Sequence, residues 1–214
     1  MGLGLGTYLT TIDGVSYVRF IAPGVAASTV MFGAIIETTY NSFVRIHIRK
    51  VYEAAITTPL SVQDVVVGEY LWAATRALAY GVIFLAVMVA FGLVASPLAL
   101  LVVPVMALGA LLFAVLGMLY TALVSNIEHY NIFYTGVLTP MFLFGGVFFP
   151  FDRLPDWAQV VGWCLPLSHL VAAIRDLTLG GAGAGTLVHV AVLVALLAVV
   201  FPVPLVLLGR RLRR

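Results

Sequence analysis

Few side chains in this 214-residue chain are of types that carry chemistry, and each sits in a context that limits its use. Glu37 is the one carboxylate within an otherwise apolar stretch running from Phe20 to Phe43. An ionisable group in lipid is costly and usually faces a bundle interior or a polar path. Tyr40, Asn41 and Arg45 lie within two helical turns of it, so two readings stand. Glu37 is either paired near the membrane interface or takes a direct part in conformational change or transport. Thr38 to Ser42 extend the patch with groups that can hydrogen-bond between helices. Glu128-His129 admits a proton relay, but a solvated turn between two spans explains the pair more simply. Ser168-His169 invites comparison with a hydrolase. Helix capping accounts for Ser168, and no nucleophile elbow or acidic partner accompanies the pair. Gly2-x-Gly4-x-Gly6 is followed by no Lys-Ser/Thr and so makes no phosphate-binding loop. The lone Cys164 excludes an internal disulfide and argues against a zinc site. No catalytic constellation, metal-ligand set or resident cofactor is expected, and any ATP must be bound by another polypeptide.

The elements that position these residues follow from composition. Hydrophobic residues make up 63% of the chain and charged residues 9%, with a mean hydropathy of +1.13. Soluble domains carry about 25% charge, so this chain requires lipid as its solvent. Five apolar stretches are long enough for spans: Phe20 to Ile36 (continuing to Phe43), Ala77 to Ala95, Leu98 to Val124, Ile132 to Phe149 and Leu187 to Leu208. Their Gly and Pro content is ordinary in membrane bundles, and no alternating pattern suggests a β-barrel. The expectation is an all-α polytopic bundle forming one transmembrane domain over residues 1–214.

Eight cations fall on one side if the chain alternates: Arg45, Arg49, Lys50, Arg76, Arg210, Arg211, Arg213 and Arg214. The other side receives only Arg19, Arg153 and Arg175. By the positive-inside rule the eight mark the cytoplasm, which also receives the C-terminus. Residues 1–19 would then lie outside without a signal peptide. One upstream span is therefore expected to be missing, by truncation or a misassigned start; a five-span chain with a translocated N-terminus is the alternative.

Two inter-span segments stand out. Over residues 45–70, a basic exit is followed by about two helical turns from Val51 to Thr57, halted by Thr58-Pro59. A new helix then opens at Ser61 with Asp64 three positions on, a capping-box arrangement. A short surface helix hinged by proline suits either partner docking or a plain interfacial linker. Over residues 150–185, two short amphipathic helices are expected, Asp156 to Cys164 and Ser168 to Gly180, dipping into the outer interface. Within the fourth stretch, Thr139-Pro140 and Gly145-Gly146 allow a kink. Thr135, Thr139, Phe142 and Phe148 are candidates for a translocation path, with core packing the competing role for the aromatics.

At this point the motifs carry a resemblance. Glu53-Ala54-Ala55-Ile56-Thr57-Thr58-Pro59-Leu60-Ser61 resembles the coupling-helix region of ABC-2 permeases. Gly68-Glu69-x-Leu71-Trp72, Thr139-Pro140 through Phe149-Pro150, and Leu165-Pro166-Leu167-Ser168-His169 extend the likeness. The subgroup it resembles is that of the nodulation-type lipo-oligosaccharide exporter permeases. The resemblance implies a six-span non-catalytic permease of a bacterial inner membrane, exporting an amphipathic substrate such as a lipo-oligosaccharide, glycolipid or drug. It further implies a pair of permeases, expected as a homodimer, on two ABC ATPase subunits that hold ATP and Mg, with membrane lipid and no nucleic acid as other partners. Arg49, Lys50, Tyr52, Glu53, Ala54, Ile56, Thr57, Thr58 and Pro59 would form the ATPase-coupling segment, and Glu37, Tyr40 and Asn41 the intramembrane polar group. A secondary transporter would show buried charge pairs or paired broken helices in two repeats, and an intramembrane lipid-modifying enzyme a polar cluster on facing helices. Both stand behind the exporter.

Overall fold

Helix starts in this chain follow local chemistry. At Ser61 the backbone N–H donates to Asp64 Oδ2 at 2.9 Å, and Ser61 Oγ accepts from the Asp64 N–H at 3.2 Å. This closed capping box opens a helix of 29 residues, Val62–Ala90. The computed structural model describes residues 11–12, 15–48, 59–124, 126–153 and 155–211. Arg49 to Thr58, the expected coupling segment apart from Pro59, lies outside the described residues.

The architecture is a helical bundle. After a two-residue antiparallel pairing of Thr11–Ile12 with Val15–Ser16, α1 runs over Tyr17–Ile36 and continues through π-helical turns at Glu37–Asn41 and Val44–Ile48. α2 is Val62–Ala90 and α3 is Val102–Leu123, entered through a 3-10 turn at Pro97–Leu101. α4 (His129–Phe133) passes through a π-turn at Tyr134–Leu138 into α5 (Thr139–Phe144). α6 (Asp156–Trp163) and α7 (Pro166–Leu179) meet at 88°. α8 (Ala184–Val200) and α9 (Pro202–Arg211) form the last span.

Among the described residues, four helical segments are long and apolar enough to cross a membrane: Tyr17–Ile46, Val62–Ala90, Pro97–Leu123 and Ala184–Arg210. The fourth stretch read from the sequence, Ile132 to Phe149, is corrected. Its helical run covers His129 to Phe144, sixteen residues, or about 24 Å at 1.5 Å per residue. That falls short of a hydrocarbon core of about 30 Å. Gly146 stops it by adopting φ +71°, a backbone conformation open to glycine at little cost. A fifth crossing, by length and composition, is the bent pair α6–α7.

Burial ranks the spans in a way that hydropathy does not. In its most apolar window α1 is 72% buried and the last span 11%. α1 packs against α2, α3 and α7, and α7 also against α8 and α3. The small residues of α1, including Ala26, Ala27, Ser28 and Ala34, are almost fully enclosed and let neighbouring backbones approach. The tightest approach is at Gly117 of α3, where an added Cβ would stand 2.2 Å from Thr38 Oγ1 and 3.3 Å from the Ile35 backbone. One turn on, Thr121 Oγ1 donates to the Thr38 carbonyl at 2.7 Å. Gly117→Ala is therefore expected to destabilise the bundle by about 1–3 kcal/mol, the usual cost of overpacking. Adding Thr38→Ala should recover part of it. Thermal unfolding of the purified permease in detergent measures both, and wild-type stability of Gly117→Ala would contradict the packing described.

Candidate functional site

The first helix loses α-helical regularity at Glu37. Thr38 Oγ1 donates to the Ala34 carbonyl at 3.0 Å and Thr39 Oγ1 to Ile35 at 2.6 Å, so hydroxyls bond backbone oxygens beside the ladder. The backbone widens into the π-turn Glu37–Asn41, and the Ser42 N–H bonds the carbonyls of Glu37 and Thr39. Such π-bulges occur often at functional sites. Thr39 Oγ1 also meets Tyr134 Oη at 2.7 Å, joining this π-turn to that of Tyr134–Leu138.

Beyond the widened turn, α1 and α2 face each other through a charge cluster. Glu37 is 5% exposed. Its Oε2 accepts from Arg76 Nη1 at 2.6 Å and from Asn41 Nδ2 at 2.8 Å. Its Oε1 accepts from Trp72 Nε1 at 3.0 Å and lies 3.4 Å from Arg45 Nη2. Arg45 reaches across to Glu69 in a short ion pair, and Glu69 Oε2 also accepts from Ser42 Oγ at 2.8 Å. Arg76 continues outward to Tyr80 Oη at 3.0 Å, with its guanidinium 5.9 Å from the Trp72 ring. Two carboxylates and two guanidinium groups thus cancel within one cluster, bordering a cavity of about 240 Å³ lined by Glu37, Asn41, Val44, Arg45, Trp72 and Arg76.

Chemically, the arrangement is a clasp. Glu37 has its acceptor sites filled by four donors from two helices, so it is held in place. Sliding or rotating α1 against α2 would break charge-assisted bonds, which are roughly twice as strong as neutral ones. The clasp joins the last turns of the first helix to the first half of α2, the two helices that flank residues 49–58 in sequence. Pro59 forms an exposed turn leading directly into the Ser61 cap.

Of the residues singled out from sequence, Glu37, Asn41 and Arg45 come together, whereas Tyr40 turns outward and is 50% exposed. Trp72, part of the Gly68-Glu69-x-Leu71-Trp72 motif, and Arg76, one of the eight cytoplasmic-side cations, prove to be direct ligands of Glu37. Two stripes at helical spacing carried the signal: Glu37, Asn41, Arg45 on one helix and Glu69, Trp72, Arg76 on the next. Thr135 and Thr139 lie on the exposed face of the short fourth helix. Phe142 and Phe148 turn toward the core, with rings 4.9 Å apart and Phe142 5.7 Å from Phe32. Glu128 and His129 are exposed beside a turn. Ser168 does not cap its helix. Pro166 occupies the first helical position, where its missing N–H costs nothing, and Ser168 Oγ donates instead to the Gly162 carbonyl, tying α7 to α6. Among the described residues no cluster of three or more potential metal ligands occurs.

Comparison with known proteins places these features in a family context. The sequence profile of the ABC-2 type transporter family matches residues 1–179. Nodulation protein J of Rhizobium leguminosarum bv. viciae is 39% identical over 221 residues, covering 100% of this chain and 83% of that protein. Nodulation protein J of Sinorhizobium fredii is 36% identical over 212 residues, covering 99% and 81%. The inner membrane transport permease YadH of Escherichia coli is 24% identical over 171 residues, covering 80% and 66%.

Proposed function

The chain belongs to the ABC-2 type transporter family, and from that premise we propose that it is the membrane permease of an ATP-driven exporter of amphipathic, glycolipid-like substrates. Similarity to Nodulation protein J over nearly the whole chain is the observation that carries this proposal. ATP and Mg belong to a separate ABC ATPase, two copies of which serve a pair of permeases. The ATPase engages residues 49–59 from the cytoplasmic side, the side on which Arg45, Arg76 and the C-terminal arginines place the positive charge. Nucleotide-driven movement of that segment reaches the spans through the Glu37–Arg76 and Arg45–Glu69 pairs, because α1 and α2 are the helices directly continuous with it. The bundle then switches as packed bodies between two arrangements rather than bending continuously. Thr135 and Thr139, on an exposed helix face, are positioned to line the route between two permease copies.

Reconstitution with an ABC ATPase partner in proteoliposomes tests the proposal directly, using a fluorescent lipo-oligosaccharide as cargo. Movement of cargo should require ATP hydrolysis and stop with a non-hydrolysable analogue. Transport by the permease alone, driven by an ion gradient, would assign it to the secondary transporters instead.

A further inference from the structure

Apart from the charge clasp, two imidazoles meet between the bent hairpin and the last span. His169 Nδ1 of α7 lies 3.0 Å from His189 Nδ1 of α8, and His169 Nε2 lies 3.0 Å from the Trp163 carbonyl oxygen of α6. The Trp163 ring stacks on His189 with the planes within 1° and the centroids 5.3 Å apart. His169 is 9% exposed.

The partners dictate the protons. A carbonyl oxygen only accepts, so His169 Nε2 carries hydrogen, and in the neutral ring its Nδ1 is then a bare acceptor. His189 must therefore donate from its own Nδ1. A first added proton goes to His189 Nε2 and leaves that bond intact. A second would have to enter at His169 Nδ1, where it meets another N–H across 3.0 Å and another positive charge. The joined state thus holds one proton fewer than the separated state, and acid favours separation.

The surrounding charges do not remove this limit. Asp176, two turns along α7, acts electrostatically on His189 and accepts from Thr186 Oγ1 of α8 at 2.8 Å. It offsets one positive charge and not two. Arg175 is turned to the Gly146 carbonyl at 2.8 Å and to the Phe20 ring of α1. Arg19 of α1 donates to the Gly92 carbonyl. Tyr17 on α1 and Tyr120 on α3 are the further titratable groups of the helices packed on α7. Asp156 and Arg153, at and before the start of α6, are exposed. His189 is the sole titratable residue of α8.

We propose that His169 and His189 form a proton-released latch that holds the α6–α7 hairpin against the last span when neutral and frees it when both imidazoles are charged. The latch is independent of what powers transport, so it stands or falls separately from the exporter assignment.

Its test uses the full chain in lipid nanodiscs, with one spin label on Cys164, the single cysteine, exposed at the hairpin bend, and a second on Leu187→Cys of α8. Dilution with unlabelled Cys164→Ser chain restricts the measured distances to one molecule. In the wild-type background the distance distribution should lengthen and broaden between pH 8 and pH 5. His189→Asn keeps an N–H donor in place and cannot charge, so it should hold the short distance at both values. His169→Gln keeps a donor for Trp163 and an amide oxygen to accept from His189, and it cannot charge, so it too should hold the short distance at both. An unchanged wild-type distribution, or a wild-type-like shift in either His189→Asn or His169→Gln, would overturn the latch.

Discussion

Glu37→Gln is expected to lower ATP-driven export at least tenfold, the equivalent of about 1.4 kcal/mol in a coupling step, while the permease still inserts and still retains its ATPase. The substitution keeps side-chain size and removes the charge that holds two guanidinium groups. Arg76 and Arg45 then face each other across the cavity with Glu69 as their one carboxylate, and the α1–α2 clasp loses its central anchor. Breaking a buried pair by removing one partner costs roughly 3–5 kcal/mol. The cost here should fall at or below the low end, because the side chains of Arg76 and Arg45 are 42% and 25% exposed and can rehydrate. Arg76→Gln in the same chain should recover part of the loss, as expected for directly bonded residues coupled by about 0.5–3 kcal/mol. Export assays on the two single variants and the double variant, beside thermal unfolding, separate the possibilities. Wild-type export by Glu37→Gln would remove the clasp from the transport cycle. An export loss wholly tracked by a fall in unfolding temperature would make it purely structural.

Glu53→Arg and Ala54→Pro are expected to abolish export by a different route. Residues 49–59 resemble a coupling segment, and docking into an ATPase groove requires a formed helix with its acidic side chain in register. Proline within a helix costs about 3 kcal/mol, and a helix of only two turns is marginal without that cost. Charge reversal at Glu53 places repulsion where the ATPase would have matched a carboxylate. Both variants should therefore lose ATPase in co-purification, which Glu37→Gln should not. That contrast separates docking from transmission: one class fails to bind the motor, the other binds it and fails to respond. Unchanged ATPase recovery with both variants would end the docking role of this segment.

The sequence by itself determined that this is a helical membrane protein, because transfer into lipid is nearly additive over a run of residues and needs no knowledge of neighbours. It also determined the start of α2 at Ser61, since a capping box closes within four residues, and the existence of both hairpin helices around Gly162 and Ile174. The end of α7 at Gly180 was legible for the same reason, that residue adopting φ +90°. Tertiary structure alone decided which helix occupies the centre. α1 is less apolar than the last span yet far more enclosed, because small residues permit close approach and hydropathy does not measure that. It alone shortened the fourth stretch, where the helix ends at Phe144 and Gly146 turns the chain. It alone brought Trp72 and Arg76 to Glu37, and His189 to His169. These pairings join residues 35, 39 and 20 positions apart. Composition supplies the partners, but only the packing of the spans sets which donor reaches which acceptor.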